Sequence, residues 1–374
     1  MSGFVFSEKP IGIERGEGAY LYADDGTEYL DFGASYAVTP VGHCHPQVVD
    51  AVKAQVEELM YVQASYPVEA RTELYEKLAT VSPPGLDNVW LCNSGTEANE
   101  AAMKFARNAT GRGKIVATRR GFHGRTLGAL SMTWKDKYKK PFEPLVDGIE
   151  FVSYGDGDEL AETVDEETAA VFLEPIQGEG GIHSADATYL RRAREVTEAA
   201  GAALVFDEIQ TGVGRTGTLW ACERSEVEPD ILTTAKGIAS GLPLGATVCA
   251  DWIADADPEH GSTFSGGPVV CAAANATLDV VVEEDLPTQA ADVGRYLMES
   301  VEDADLPIRD VRGQGLMIGL EVKRGSNRLL RDLALNEQIL ALPAGRTVLR
   351  LLPPLTIGEE HADQFVESLE AVLG

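Results

Sequence analysis

Short β-branched runs alternate with longer amphipathic runs through the middle of the chain. The β-branched runs predict strands and read, in order, NVWLC, KIVATRR, AAVFLEP, ALVFDEI, DILTTA and GATVCA. The amphipathic runs GTEANEAAMKFARNAT and ATYLRRAREVTEAAG predict helices among them. Strands interleaved with helices predict an α/β fold, with a mostly parallel sheet that helices cover on both faces.

The two ends of the chain have a different pattern. GAYLYADDGTEYLDF near the N-terminus predicts short antiparallel strands with turns, whereas the tail carries helices and the strand pair VRGQGLMIGLEV. The chain has 374 residues, and single cores stop growing at roughly 250 to 300 residues. We therefore expect a large domain at residues 46–274 and a small α+β domain built from both ends, residues 1–45 and 275–374.

The chain is strongly acidic, with 60 acidic and 31 basic residues and a formal net charge of −29. The charge is spread along the whole sequence, and its field repels nucleic acid and anionic membranes, so neither is expected as a partner. A hydrophobic content of 44% argues against disorder. A surface adapted to high salt explains the charge better, because salt screens self-repulsion, and it predicts a halophilic source.

The N-terminal sequence, the apolar segments and the cysteine spacing bear on the cellular compartment. The N-terminal residues lack the apolar core of a signal peptide, and no segment approaches the roughly 18 uninterrupted apolar residues of a membrane span. We therefore expect a cytoplasmic protein. The cysteines form no CxxC pair, which predicts buried thiols and neither disulfides nor zinc ligands. They are Cys44, Cys92, Cys222, Cys249 and Cys271.

CNSGTEAN places Ser94, Gly95 and Thr96 between a predicted strand and a predicted helix. Backbone N–H groups, hydroxyls and the helix dipole would converge there, and such a spot binds phosphate. Ordinary N-capping with Glu97 in the first turn explains the same residues. Ligands of open α/β sheets bind beyond the carboxyl ends of strands, so the other polar clusters at such points are interpreted together with this one.

Asp207 follows four apolar strand residues in ALVFDEIQTG, so we expect it to be partly buried and to need a cation or a donor. Taken alone, it is explained as well by an ordinary carboxylate at a strand end. The following GVGRTG matches the dinucleotide pattern GxGxxG. However, DEIQT separates it from the strand and TLWACE is a poor helix start, which disfavours a nicotinamide site.

Two further clusters combine charge with flat or apolar surroundings. GFHGR offers the rings of Phe122 and His123 and the planar guanidinium of Arg125, which suits bidentate capture of a carboxylate. A surface loop with an incidental aromatic residue is the alternative. Arg350 lies in the apolar run TVLRLLPPL and needs a partner, for which Glu179 in EPIQGEGG is a candidate.

The histidines of VGHCHP, His43 and His45, could suggest a metal site. No acid or third histidine stands at ligand spacing, so a hydrogen-bonding loop is favoured and no metal is expected. The sequence also contains no GxSxG nucleophile elbow.

Lys236 ends the apolar run DILTTAKG, where a buried ammonium group would be costly. A phosphate cradle, a flat ring, a strand-end carboxylate and a lysine at one sheet edge match the needs of pyridoxal 5′-phosphate (PLP). A Schiff base with the PLP aldehyde would remove the free ammonium of Lys236. Asp207 would then pair with the protonated ring nitrogen, and Phe122 would stack on the ring.

Six segments in this order resemble the class III (ornithine/acetylornithine-type) aminotransferases of PLP fold type I, over nearly the entire chain. They are NSGTEANEAAMKFAR, GFHGRTLG, LEPIQGEGG, VFDEIQTGVGRTG, PDILTTAKG and LRLLPPL. Within the class, the chain is most similar to acetylornithine aminotransferases and to relatives that act on substrates held by an amino-group carrier protein. RTLGALSMTWKDKYKKPFEPLV resembles the carrier-linked group in particular.

The resemblance implies a role for each residue that matches a family motif. Lys236 is the Schiff-base lysine and then the proton-transferring base, while Asp207 holds the ring nitrogen. Ile209 packs behind the ring and Gln210 reaches its phenolic oxygen. The cofactor-binding set implied in this way comprises Ser94, Gly95, Thr96, Phe122, His123, Asp207, Ile209, Gln210, Lys236 and Thr263.

The resemblance also implies a homodimer with shared active sites. Thr263 would add a phosphate-binding hydroxyl from the second subunit, with Ser262 near the substrate. Arg125 and Arg350 would bind substrate carboxylates, and Glu179 would pair with Arg350 when the amine donor is absent. Relatives commonly read GGNP where this chain reads SGGP at residues 265–268, which leaves the geometry of that loop open.

The implied reaction moves an amino group between glutamate and the terminal semialdehyde of an N-blocked substrate, with 2-oxoglutarate as the other product. The blocking group is a carrier protein in lysine or arginine biosynthesis, or the acetyl group of N-acetylornithine. Lys135, Lys137, Lys139 and Lys140 form a basic island that could attract an acidic carrier. A nicotinamide-dependent oxidoreductase and a non-catalytic interaction protein are the alternatives of other classes.

Overall fold

The computed structural model describes residues 9–323 and 325–374. A seven-stranded sheet forms the centre of the molecule. Its strands, from one edge to the other, are Leu86–Cys92, Gly245–Ala250, Ile231–Thr234, Ala203–Asp207, Thr168–Leu173, Lys114–Thr118 and Ile149–Val152. Gly245–Ala250 runs antiparallel to both of its neighbours, and the other pairs are parallel. The predicted α/β fold with a mostly parallel sheet is confirmed.

The sheet is buried on both faces, since successive strand side chains point to opposite faces and the residues on each face belong to a hydrophobic cluster. In the strand Ala203–Asp207, Leu204 and Phe206 belong to one hydrophobic cluster and Ala203 and Val205 to another. The helices run through Pro46–Glu58, Glu69–Val81, Gly95–Thr110, Leu127–Met132, Asp136–Lys139, Gly157–Thr163, Gly178–Gly181, Ala187–Ala200, Asp251–Ala254, Pro268–Glu283, Leu286–Asp303, Ser326–Asn336 and Glu359–Leu373. Ala34–Ala37 forms a short helical turn with positive φ values. Short 3₁₀ turns cover Lys140–Phe142, Ala221–Ser225 and Lys236–Ala239.

Two four-stranded sheets and one short ribbon lie outside the central sheet. The first sheet joins Ile13–Glu17, Tyr20–Ala23, Glu28–Asp31 and Ile339–Leu340, and the second joins Ile308–Gln314, Met317–Val322, Val348–Leu351 and Leu342–Ala344. The ribbon pairs Ile176–Gln177 with His183–Ser184. The first sheet therefore contains strands from both ends of the chain, and the ring of Phe32 stacks on that of Phe365 at 4.6 Å.

The domain division at residues 45 and 275 stays a prediction. The helix Pro268–Glu283 runs without interruption through residue 275 and packs on the helices Pro46–Glu58 and Glu69–Val81. The strand Ile149–Val152 escaped the sequence pattern because it has only four residues and lies at the sheet edge, with Glu150 exposed. None of the helices in the described ranges is long and apolar enough to span a bilayer.

The loop that departs from the family pattern is held by a buried arginine. Arg71 donates to the carbonyl oxygens of Gly266 at 2.6 Å and of Tyr66 at 2.8 Å, and also to those of Val62 and Ala64. Gly266 has a φ of +57°, a conformation that glycine adopts without steric cost. The SGGP loop is thus fastened through its backbone.

The prediction of buried thiols is confirmed for four cysteines and wrong for Cys44. Cys44 is exposed because it lies with a φ of +54° in the loop between His43 and His45. His43 Nε2 forms a hydrogen bond of 2.9 Å with Asp31 Oδ2. No group of three or more metal-ligating side chains occurs among the residues that the structure describes.

Candidate active site

A cavity of about 420 Å³ opens at the carboxyl ends of the central strands. Most of the predicted site residues line it, although they come from distant parts of the sequence. They are Ser94, Gly95, Thr96, Phe122, His123, Arg125, Glu179, Asp207, Ile209, Gln210 and Lys236. Parallel strands bring their carboxyl ends to one edge of the sheet, which explains why these segments meet there.

The helix Gly95–Thr110 begins at the cavity wall. Ser94 Oγ accepts a hydrogen bond of 3.3 Å from the Glu97 amide, so N-capping is present. Within the described chain, the amides of Gly95 and Thr96 have no hydrogen-bond acceptor, and both residues face the cavity. A Cβ on Gly95 would lie 2.8 Å from Ile209 Cδ1, so only glycine allows this close approach. Free amides at a helix N-terminus are the donor set that a phosphate needs.

Asp207 is 4% exposed, and polar groups surround its carboxylate. Its Oδ2 accepts from Asn99 Nδ2 at 2.8 Å and lies 2.7 Å from His123 Nδ1. The amide of Ile209 donates to Oδ1 at 3.1 Å. Thr233 Oγ1 donates to Asn99 Oδ1 at 2.8 Å, which orients the amide behind the carboxylate.

His123 lies beside Asp207 at the cavity, and its ring is buried. The residue is 1% exposed, and its Nε2 atom has no partner among the described residues. Burial acts to lower the pKa of His123, but the hydrogen bond and charge of Asp207 outweigh it and raise the pKa overall. The histidine therefore supports the Asp207 carboxylate at the cavity wall.

Lys236 follows the strand Ile231–Thr234 and has a φ of +43°, which turns the chain sharply at the cavity. Burial and then the charge of Arg350 lower the pKa of its amine to about 8. Three nearby carboxylates act to raise this pKa, namely those of Glu179, Asp207 and Glu174. A neutral amine is thus reached far more easily than at an ordinary exposed lysine.

Arg350 does not line the cavity, but it binds two residues that do. It is fully buried, with Nη2 at 2.6 Å from Glu179 Oε1 and Nη1 at 3.0 Å from Gln210 Oε1. Burial acts to raise the pKa of Glu179, but the charge and hydrogen bond of Arg350 exceed that effect and lower it. Since Gln210 Oε1 accepts from Arg350, the Gln210 NH₂ group is the part that can donate into the cavity.

Ser262 and Thr263 do not reach the cavity of this chain. Ser262 Oγ accepts from Asn93 Nδ2 at 3.1 Å, next to the phosphate-type helix start. Thr263 is exposed, and its carbonyl oxygen accepts a hydrogen bond from the Tyr61 hydroxyl. Within one subunit, therefore, the structure brings together all of the predicted site residues except these two.

Sequence reasoning missed two buried site residues, Asn99 and Glu174. Glu174 lines the cavity directly after the strand Thr168–Leu173, which is the same signal that singled out Asp207. Burial raises the pKa of Glu174 to about 7, and the amides of Phe122 and Gly178 donate to it. Asn99 gave a weaker signal, as a polar residue one turn into the helix that begins at the site.

The cavity brings together a helix N-terminus with free amides, a buried carboxylate and a lysine of lowered pKa. These groups fit the phosphate, the ring nitrogen and the aldehyde of PLP, which defines a PLP-dependent transferase of the α/β class. The class-III aminotransferase family matches residues 6–373 of the chain. The protein belongs to this family and is a PLP-dependent aminotransferase.

Two relatives match over nearly the full length of the chain. LysW-aminoadipate semialdehyde transaminase of Deinococcus radiodurans is 46% identical over 99% of this chain and 87% of its own. Acetylornithine aminotransferase of Methanopyrus kandleri is 43% identical over 99% of this chain and 96% of its own.

A solved structure also matches nearly the full length of the chain. The ornithine aminotransferase of Toxoplasma gondii, in a crystal with partial occupancy of PLP at its active site, superposes with a TM-score of 0.93. It is 33% identical, and the match covers 98% of this chain and 91% of that one.

The lowered pKa of Lys236 generates a pH prediction for the cofactor-free protein. Because the neutral amine is the nucleophile, covalent attachment of PLP should accelerate as the pH rises to about 8 and level off above it. Absorbance measured with a stopped-flow instrument gives the rate, and borohydride trapping with mass spectrometry locates the attachment.

Nα-acetyllysine provides the control for titration of PLP itself, and Lys236→Ala should abolish attachment. A rate that keeps rising to the ordinary lysine pKa of about 10.4 would contradict the lowered value.

Proposed function

We propose that the enzyme transfers an amino group between glutamate and the terminal semialdehyde of a substrate carried by an amino-group carrier protein. The substrate is an aminoadipate or glutamate semialdehyde of lysine or arginine biosynthesis. The 46% identity with a LysW-aminoadipate semialdehyde transaminase carries this proposal, because it extends over 99% of the chain. N-acetylornithine is the second candidate substrate, supported by the 43% identity with an acetylornithine aminotransferase.

The residues of the cavity divide the work of holding the cofactor. The helix start with Ser94, Gly95 and Thr96 would hold the phosphate, and Asp207 would hold the ring nitrogen in its protonated form. Phe122 and Ile209 would contact the ring, and the Gln210 NH₂ group would donate to the phenolic oxygen. PLP supplies an aldehyde that captures amines and a ring that withdraws electrons from the substrate.

Lys236 moves the proton at the substrate carbon that carries the amine. Its Nζ atom holds that proton transiently, and a pKa of about 8 favours both uptake and release near neutral pH. Asp207 is fixed by its hydrogen bonds with Asn99 and His123, which place its carboxylate where it would face the positive charge of the ring nitrogen.

The pair Arg350–Glu179 lets one cavity accept two different substrates. With the arginine bound to Glu179 at 2.6 Å, the cavity presents no free guanidinium on that side, which suits a long amino substrate. A dicarboxylate such as glutamate displaces Glu179 and gains the charge-assisted bond from Arg350. Arg125 binds the carboxylate of the substrate at the other side.

The segment of residues 135–140 is the docking surface proposed for an acidic carrier, and its lysines differ in how free they are. Lys135 Nζ donates to the Glu179 carbonyl at 2.9 Å, and Lys139 Nζ lies 4.5 Å above the ring of Phe151. Lys137 and Lys140 are exposed; Lys140 Nζ lies 3.2 Å from Asp136 Oδ2, and Lys137 Nζ lies 4.7 Å from the centre of the Tyr138 ring. Unlike Lys135, neither of them bonds to a residue that lines the cavity, so they are the lysines to change in the test.

Charge reversal at Lys137 and Lys140 should raise the KM for carrier-bound semialdehyde about tenfold at low salt, because steering depends on charge. The KM for N-acetylornithine should stay within about twofold. Steady-state kinetics of purified enzyme with glutamate or 2-oxoglutarate as the second substrate measure both values.

The matched control reverses Arg295 and Arg331, which are also exposed cations and lie on other helices. Equal changes in KM for both substrates, or an equal change in KM in the control variant, would contradict the proposed docking surface. Failure of every carrier-bound semialdehyde to react would favour N-acetylornithine.

A homodimer with shared active sites completes the proposed enzyme. Thr263 lies beside exposed apolar side chains, with Phe264 67% and Met60 69% exposed, and the Tyr61 ring lies 5.5 Å from that of Phe264. Such a patch is typical of a protein interface. Each subunit contributes the Thr263 hydroxyl to the phosphate of the other.

Mixing Lys236→Ala with Thr263→Ala protein should restore activity, because each mixed dimer regains one complete site. Random reassortment of a symmetric dimer gives about a quarter of the wild-type activity. The activity of the refolded mixture measures this, and each variant refolded alone is the control. No gain over the separate variants would contradict shared sites.

The enzyme works in a cytoplasm of high salt, which the net charge of −29 supports. Raising KCl from about 0.1 M to about 1 M shortens the Debye length from about 10 Å to about 3 Å and screens self-repulsion. The midpoint of thermal unfolding should therefore rise by several degrees and then level off. A midpoint that does not rise over this range, or one that rises linearly without a plateau, would argue against screening as the cause.

A further inference from the structure

Arg125 has an unusual environment for a cation in so acidic a protein. Its guanidinium forms no ion pair or side-chain hydrogen bond with any residue in the described ranges, although its backbone amide donates to Thr96 Oγ1 at 3.2 Å. It lies at the wall of the cavity. The charge is therefore free for a ligand, but no polar contact holds the flexible side chain in place.

Aromatic rings supply the missing support. Arg125 Cζ lies 3.6 Å from the centre of the Tyr138 ring and 5.6 Å from that of Phe122. The Tyr138 and Phe122 rings are nearly perpendicular, with an interplanar angle of 85° and centroids 6.1 Å apart. A guanidinium stacked on a ring keeps its N–H groups available in the plane, whereas an ion pair would occupy them.

We propose that Tyr138 is a positioning residue that holds Arg125 ready for the substrate carboxylate through its ring face. It acts through Arg125, so the inference rests on the proposed function of Arg125 in carboxylate binding. Tyr138 belongs to the short helix Asp136–Lys139, which is also tied to the cavity through Lys135 and the Glu179 carbonyl. The proposed docking surface is thereby joined to both carboxylate-binding sides of the cavity.

The position of this helix gives the proposal a consequence for substrate choice. A ligand that docks on Lys137 contacts the same helix that supports Arg125, and one that docks on Lys140 contacts the residue that directly follows this helix. The ring at position 138 therefore sets how precisely the guanidinium is placed for every substrate whose carboxylate it binds. Loss of the ring affects binding of that substrate and leaves the proton transfer at Lys236 unchanged.

The test compares Tyr138→Leu, which keeps an apolar side chain without a π face, with Tyr138→Phe, which keeps the face. In the holoenzyme, Tyr138→Leu should raise the KM for glutamate and the Kd for glutarate about threefold to tenfold. The kcat should change less than about twofold, and Tyr138→Phe should retain the wild-type KM and Kd. Calorimetry with glutarate, a dicarboxylate without an amine, gives a readout that is independent of activity.

Arg125→Ala and the double variant Arg125→Ala/Tyr138→Leu complete a cycle that separates the two proposals. If Tyr138 acts through Arg125, the leucine substitution has no further effect once the guanidinium is gone. An unchanged Kd in Tyr138→Leu, or the same loss in both backgrounds, overturns the role of Tyr138 and leaves Arg125 as the carboxylate ligand. An unchanged Kd in Arg125→Ala, or no glutarate binding by the wild-type enzyme, overturns the carboxylate site itself.

The melting temperature shows whether the variants fold. A shift of less than about 2 °C in Tyr138→Leu is expected, because the residue is only partly buried. If the leucine variant is unstable, Tyr138→Met replaces it as a second apolar side chain without a π face. Tyr138→Phe again supplies the aromatic reference, so that the comparison still decides the role of the ring.

Discussion

The compensation of buried charge at one edge of the central sheet is the constraint on which this structure depends. Asp207 and Arg350 are almost completely removed from water, and a lone charge in such a place would be strongly destabilising. Asp207 is held by Asn99 and His123, and the two Nη atoms of Arg350 are held by Gln210 and Glu179. The lowered pKa of Lys236 belongs to the same balance, since Arg350 contributes to it.

This balance connects the stability of the fold with its chemistry. The groups that would be expensive to bury alone are those proposed to hold a charged cofactor and charged substrates. Arg350 is paired with Glu179 at 2.6 Å, and in the proposed exchange a substrate carboxylate would take the place of that partner, so that the arginine keeps an acidic partner throughout. Arg125 has no acidic partner among the described residues; the ring faces of Tyr138 and Phe122 support its guanidinium instead.

Patterns within single segments predicted most of the fold and many of the site residues. The strand Ala203–Asp207 and the helix Gly95–Thr110 follow directly from apolar periodicity and the capping residue Ser94. Ile149–Val152 was missed because it has only four residues at the sheet edge, and Asn99 because its partners Asp207 and Thr233 lie far away along the chain. The prediction that Cys44 is buried was wrong because burial is a property of the packed molecule.

The sequence by itself determined the order of strands and helices, the chemistry placed at each strand end and the resemblance to the class-III aminotransferases. Only the tertiary structure decided which of these groups meet: Gln210 with Arg350, Asn99 with Asp207 and Tyr138 with Arg125. The physical reason is that local periodicity depends on neighbours within a few residues. Hydrogen bonds, ion pairs and pKa shifts depend instead on distances of a few ångströms between segments that the chain keeps far apart.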